Sequence, residues 1–226
     1  MALFVLSDPH LSLGCDKPMD IFGGWQNYVE RLSAAWLHQV KPEDTIVLPG
    51  DISWAMSLDH CTEDFRFLHQ LPGRKILGKG NHDYWWTTMN KMKTYLAANG
   101  FDTIDFLFNN AFFYEDLAIC GTRSWFFDGK QEHDEKMLNR ELGRLRTSLT
   151  AAGDREKLVF LHYPPIFAEN RAEQILALLS EFGVKECYFG HLHGYAAANA
   201  WQGESDGIHF RLTSADALKF SPLRIR

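Results

Sequence analysis

The sequence predicts an α/β protein: a four-layer α/β/β/α sandwich, with two packed mixed β-sheets flanked by helices. Three observations predict it. Short apolar runs of strand length alternate with segments whose apolar residues recur at helical spacing. A hairpin signal and a string of short strand candidates at the C-terminus add antiparallel pairing to this alternating order. Apolar strands and one-sided helices must bury those faces against each other, so helices belong outside the sheets.

The elements follow in order. The first buried run is residues 3–6, and a helix then carries Trp25, Tyr28, Val29, Leu32, Ala35 and Trp36 on one stripe. Further buried runs are residues 45–48 and 75–77. Residues 111–114 and 117–120 flank Glu115-Asp116 as a β-hairpin, and a second helix aligns Leu138, Leu142, Leu145 and Leu149. After the run 158–161, a third helix shows Ala172, Ile175, Leu176, Leu179 and Phe182, with Gly183 where a C-terminal glycine belongs. The run 187–189 follows, and residues 195–226 offer further short strands.

With 226 residues, 46% of them hydrophobic, and neither repeat nor long linker, the chain reads as a single domain over residues 1–226. A formal net charge of -6 gives no electrostatic reason to expect nucleic acid as a partner. A small phosphorylated substrate is compatible if bound cations supply local positive charge. The N-terminus lacks a basic leader, and no apolar stretch reaches the roughly 18 to 20 residues of a membrane span. Cys15, Cys61, Cys120 and Cys187 are scattered, which predicts reduced thiols in a cytoplasmic protein. The sequence specifies no oligomer.

The informative residues are those that follow the buried runs. Run 3–6 leads to Asp8-Pro9-His10, run 45–48 to Gly50-Asp51, and run 75–77 to Gly80-Asn81-His82-Asp83. Run 158–161 leads to His162, and run 187–189 to Gly190-His191-Leu192-His193. Ligand sites in open α/β sheets assemble at the carboxyl ends of strands, so the five sets are expected to converge. Carboxylate, imidazole and amide oxygen suit divalent Mn, Fe or Zn, and no thiolate is among them.

In this order the residues resemble the calcineurin-like metallophosphoesterase family, whose pattern is D-x-H, G-D, G-N-H-[DE], H and G-H-x-H. The resemblance spans residues 8–193. It implies two divalent metal ions, Mn favoured over Fe or Zn. Asp8, His10 and His193 would hold the first, Asn81, His162 and His191 the second, and Asp51 would bridge them. His82 would stand beside the substrate as a catalytic histidine, with Asp83 orienting it. The implied activity is hydrolysis of a phosphomonoester or phosphodiester by a metal-activated hydroxide; a catalytically weak metal-binding scaffold or protein-interaction module on the same fold is the alternative.

The chain departs from many members of that family at one point. Protein phosphatases place a phosphate-gripping arginine after the second motif, whereas this chain reads Gly50-Asp51-Ile52-Ser53-Trp54, which argues against a protein phosphatase. Arg123 could replace that clamp or be a solvated loop residue. Trp54, Trp85 and Trp86 follow metal motifs and either wall the substrate pocket or anchor loops in the core. His38, His60, His69, His133 and His209 belong to no motif.

Overall fold

The computed structural model describes residues 1–125 and 134–226. The chain begins with β1 (Leu3–Val5), α1 (Tyr28–Gln39), β2 (Thr45–Leu48), α2 (Thr62–Gln70), β3 (Arg74–Leu77), α3 (Met89–Asn99) and β4 (Ile104–Phe106). It continues with β5 (Phe112–Tyr114), β6 (Leu117–Thr122), α4 (Asp134–Ala151), β7 (Glu156–Leu161), β8 (Ile166–Phe167), β9 (Asn170–Arg171) and α5 (Glu173–Glu181). The last elements are β10 (Glu186–Phe189), α6 (Gly194–Ala198), β11 (Gly203–Ser205), β12 (Ile208–Leu212) and β13 (Leu223–Arg224).

Two mixed sheets result. The first has the order β13-β1-β2-β3-β4, parallel except for β13; the second has the order β11-β12-β10-β7-β6-β5, with antiparallel pairs at both edges. Alternation along the strands builds the layers. Leu3, Val5, Val47 and Ile76 of the first sheet meet Ile119, Leu158, Phe160 and Tyr188 of the second in an inter-sheet core. Their neighbours Phe4, Ile46, Leu48 and Leu77 face outward, where Leu32 and Trp36 of α1, Phe65 and Leu68 of α2 and Met92 of α3 cover them. On the far side Leu145 and Leu149 of α4, with Ile175 and Leu179 of α5, cover Val159, Leu161, Phe189 and Phe210. The expected α/β/β/α layering is thus present.

Two sequence expectations change in detail. Trp25 opens the predicted stripe of α1, but the helix starts only at Tyr28, because Asn27 adopts a left-handed conformation at φ 50°. Residues 195–226 do supply β11, β12 and β13, yet this stretch opens in the short helix α6. Among the histidines outside the motifs, His38, His60 and His209 are exposed and His69 is half-buried against Thr103; His133 lies outside the described residues.

Parallel strands send the loops after β1, β2 and β3 to one end of their sheet, and those after β7, β10 and β12 to one end of the other. The two ends are joined. The Ser7 amide donates to the Thr213 carbonyl at 2.7 Å and the Ala215 amide to the Ser7 carbonyl at 2.8 Å, so the loop after β1 pairs with the loop after β12 across the sheets. This seam is where the polar residues collect.

Candidate metal centre

The loops after β1 and β2 continue their ladder beyond the strands. The amides of Asp8 and His10 donate to the carbonyls of Gly50 and Asp51 at 3.0 and 3.1 Å. Asp8, His10, Asp51 and His191 all hold left-handed backbone conformations, at φ 59°, 46°, 51° and 71°. Such conformations cost non-glycine residues about 1–3 kcal/mol each and persist where the surrounding structure holds them in place. Close approach of the loops depends on two glycines. A Cβ on Gly80 would lie 2.0 Å from an Asp51 carboxylate oxygen, and one on Gly190 would lie 2.1 Å from an oxygen of Asp8.

Six side chains gather into two clusters, Asp8 with His10 and His193, and Asp51 with His162 and His191; within each, one donor atom per residue lies inside 4.8 Å of the others. Asn81 joins the second, its Oδ1 2.6 Å from His162 Nε2. Asp51 sits between them: its Oδ2 is 3.7 Å from His10 Nε2 and 3.6 Å from His162 Nε2, while its Oδ1 accepts the His82 amide at 2.8 Å. All seven sequence-expected ligand residues therefore occupy one compact, largely buried volume.

The protonation chemistry fits cations there. Burial holds His10 down to about 3 and drives His162 and His191 below the usual histidine value, which leaves neutral imidazoles with free lone pairs. Burial pushes the Asp8 carboxyl up, but the facing His162, His193 and His10 outweigh it and hold Asp8 well below the carboxylate range. Asp51 moves the other way, raised first by burial and then by the carboxylates of Asp8 and Asp83. Ionising Asp51 beside the carboxylates of Asp8 and Asp83 calls for compensating positive charge, which divalent ions would supply. Moreover, His10 Nε2 and His193 Nε2 face each other at 3.2 Å, a contact that a shared proton or a metal cation reconciles. The hard and borderline donors present match divalent ions of the Mn, Fe and Zn type.

Around this centre, Asp83 does not orient His82. Its buried carboxylate accepts the amides of Gly80, Asp51, Ile52 and Ser53 at 2.7–3.3 Å and the Trp85 indole N–H at 3.0 Å, whereas the buried Nδ1 of His82 has no hydrogen-bond partner among the described residues. The physical reason is direction: Asp83 turns into the space between the loops after β2 and β3, and the His82 ring turns toward Trp54, 4.3 Å away. Asp83 thus clamps the loop that carries Asp51.

The tryptophans separate. Trp54 stacks on His10 at 5.0 Å and belongs to the site. Trp85 does not, since it is 2% exposed and packs on Phe65 and Phe106 in the first core, and Trp86 packs on Phe106 and Phe108. Arg123 is not a solvated loop arginine: it pairs with the buried Glu141 at 3.7 Å and lies over Trp125. Its backbone carbonyl accepts the Tyr163 amide, which places Arg123 beside the His162 loop but outside the two clusters.

Sequence reasoning missed Asp216. Its Oδ1 lies 2.9 Å from His193 Nδ1, and its Oδ2 accepts the Gly194 amide at 2.9 Å. Burial opposes protonation of His193, but hydrogen bonds to Asp216 and Asp8 raise it to about 10. A signal existed: Asp216 follows the alternating strand β12, as every motif residue follows a strand.

With the geometry in hand, comparisons locate the chain among known proteins. The family model of calcineurin-like phosphoesterases matches residues 1–195. No curated protein matches the chain. Similar solved structures include a protein of unknown function from Aquifex aeolicus, at 17% identity and a TM-score of 0.54, covering 99% of this chain and 95% of that one. A protein from Thermus thermophilus has 12% identity and a TM-score of 0.59, covering 95% and 89%. A phosphopantetheinyl hydrolase from Mycobacterium tuberculosis has 14% identity and a TM-score of 0.55, covering 94% and 88%. At such identities these likenesses speak for the fold alone.

Proposed function

The chain belongs to the calcineurin-like phosphoesterase family, and on that premise we propose that it is a dinuclear metal-dependent phosphohydrolase acting on a small phosphomonoester or phosphodiester. The observation that carries this reading is the pair of clusters with Asp51 Oδ2 between them, 3.7 and 3.6 Å from a histidine of each. Asp8, His10 and His193 would hold one ion and Asn81, His162 and His191 the other, with Asp51 shared. When bound, two divalent ions supply Lewis acidity toward phosphoryl oxygens and make water nucleophilic near neutral pH. Mn is the ion of first choice, and the four free cysteines suit a reducing compartment such as the cytoplasm.

The chain's own residues supply the rest. Asp216 fixes the ring of His193 from behind, as carboxylates behind metal-binding histidines do. Asp83 holds the backbone on either side of Asp51. His82 is half-buried at the mouth of the site, and burial lowers its pKa, so a neutral imidazole would face the leaving oxygen and stabilise its charge through an N–H hydrogen bond.

The test is elemental analysis beside turnover. Mn-loaded protein is expected to carry two ions per chain and to cleave 4-nitrophenyl phosphate or bis(4-nitrophenyl) phosphate, and Asp51→Asn to carry fewer than two and lose activity. Two ions in Asp51→Asn would remove the bridge. A wild-type chain that binds metal but cleaves neither ester would favour the scaffold reading.

A further inference from the structure

A cavity of about 360 Å³ opens beside the proposed metal centre. Its inner end is formed by His10, His82 and His193. Its walls are Met19, Phe22, Trp25 and Trp54, completed by Gly23 and Gly194. Apart from the three histidines, no charged, hydroxyl or amide side chain lines it among the described residues; Lys17 stands just outside, its Nζ 5.0 Å from the centre of the Trp54 ring. The indole N–H of Trp54, one polar handle on the wall, is already directed at the Met19 sulfur at 3.2 Å.

The same loop leaves apolar surface in water. Phe22 on the rim is 52% exposed and its neighbour Ile21 is 72% exposed. Trp25 owes its place in the wall to the late start of α1: outside the helix, its ring stands edge-on to His10 and His193 at 5.8 and 5.7 Å. His82 lies where this apolar space meets the polar centre, with its ring 4.3 Å from that of Trp54.

A glycerol, sugar or nucleoside arm entering this cavity would give up hydration along walls of Met19, Phe22, Trp25 and Trp54 and find polar side chains only at the histidine end, an unfavourable exchange. An alkyl or aryl arm loses nothing by leaving water and gains about fourfold in affinity per buried methylene. The cavity also falls within the size range of small-molecule sites. We propose that it takes an apolar ester arm, alkyl or aryl, so that the substrates are phosphate esters of hydrophobic alcohols or phenols. This rests on the phosphohydrolase reading for the chemistry, though not for the binding. In the reaction water's oxygen forms a new bond to phosphorus and the bond from phosphorus to the arm's oxygen breaks. That oxygen takes a proton, and the products are phosphate, or a monoester from a diester, and the free hydroxyl compound.

Calorimetry on the Mn-loaded 226-residue chain with non-hydrolysable phosphonates tests the binding apart from turnover. Hexylphosphonate and phenylphosphonate are expected to bind at least tenfold more tightly than methylphosphonate and 2,3-dihydroxypropylphosphonate, and the ranking of the first two separates alkyl from aryl preference. Equal affinities across the four overturn the proposal. Phe22→Ser, at a rim position half in water, is expected to weaken hexylphosphonate by at least threefold more than methylphosphonate. An equal loss for both overturns the role of the rim. A chain that prefers hexylphosphonate yet cleaves no ester keeps the pocket and removes the hydrolase. One that cleaves hexyl phosphate and glycerol phosphate with equal kcat/KM keeps the hydrolase and removes the pocket.

Discussion

At the scale of single residues, the site is set as much by groups behind the proposed ligands as by the ligands themselves. Asp216 bonds His193 at 2.9 Å and fixes which of its nitrogens faces His10. Asp216→Asn is therefore expected to weaken metal affinity about 10- to 100-fold, the usual cost of losing such a partner, measured by competition with a chelator. His82 makes a different prediction. It belongs to neither cluster, so His82→Ala should keep both ions by elemental analysis and lose about 100-fold or more in turnover, most for poor leaving groups. A uniform loss across a leaving-group series would remove it from the leaving-group side.

At the scale of elements, β3 is anchored by an unusual residue. Lys75 is fully buried, and its Nζ donates to the carbonyls of Leu71 and Gly73 at 2.5 and 2.8 Å, closing the turn between α2 and β3. Lys75→Met fills the space but leaves those carbonyls without their donor, at about 2–6 kcal/mol for two unpaired groups, read from the midpoint of urea unfolding. Burial lowers the Lys75 pKa to about 8 from 10.5. Between those values the unfolded chain binds the extra proton, so stability from this residue rises with pH across that window. The Met variant should lose that rise.

At the scale of the whole molecule, the proposed ion site is a staple between two sheets. Asp8, Asp51 and Asn81 follow strands of the first sheet, and His162, His191 and His193 follow strands of the second. Away from the Ser7 seam and the site itself, the core between the sheets is apolar. Ions that bind only the folded chain stabilise it by about 2.7 kcal/mol at a hundredfold excess over Kd. For a chain of this size, chelation is then expected to lower Tm by about 5–10 °C in a calorimetric scan. An unchanged Tm would mean that the sheets hold the site without help.

The sequence by itself determined the buried strands that carry the motifs, because two-faced burial and short polar loops at strand ends are local patterns, and the motif order, through its resemblance to a family, pointed to most of the residues that converge. Only the tertiary structure decided which partner each residue meets. Asp83 and His82 are adjacent in the chain, yet one clamps loop amides and the other faces Trp54. Trp54 and Trp85 each follow a motif, yet one walls the cavity and the other fills the core. Asp216 reaches His193 across 23 residues and Trp25 reaches His10 across a turn that ends before its helix begins. Periodicity reports whether a side chain is buried. The company it keeps there depends on how loops from two separate sheets pack at their common seam.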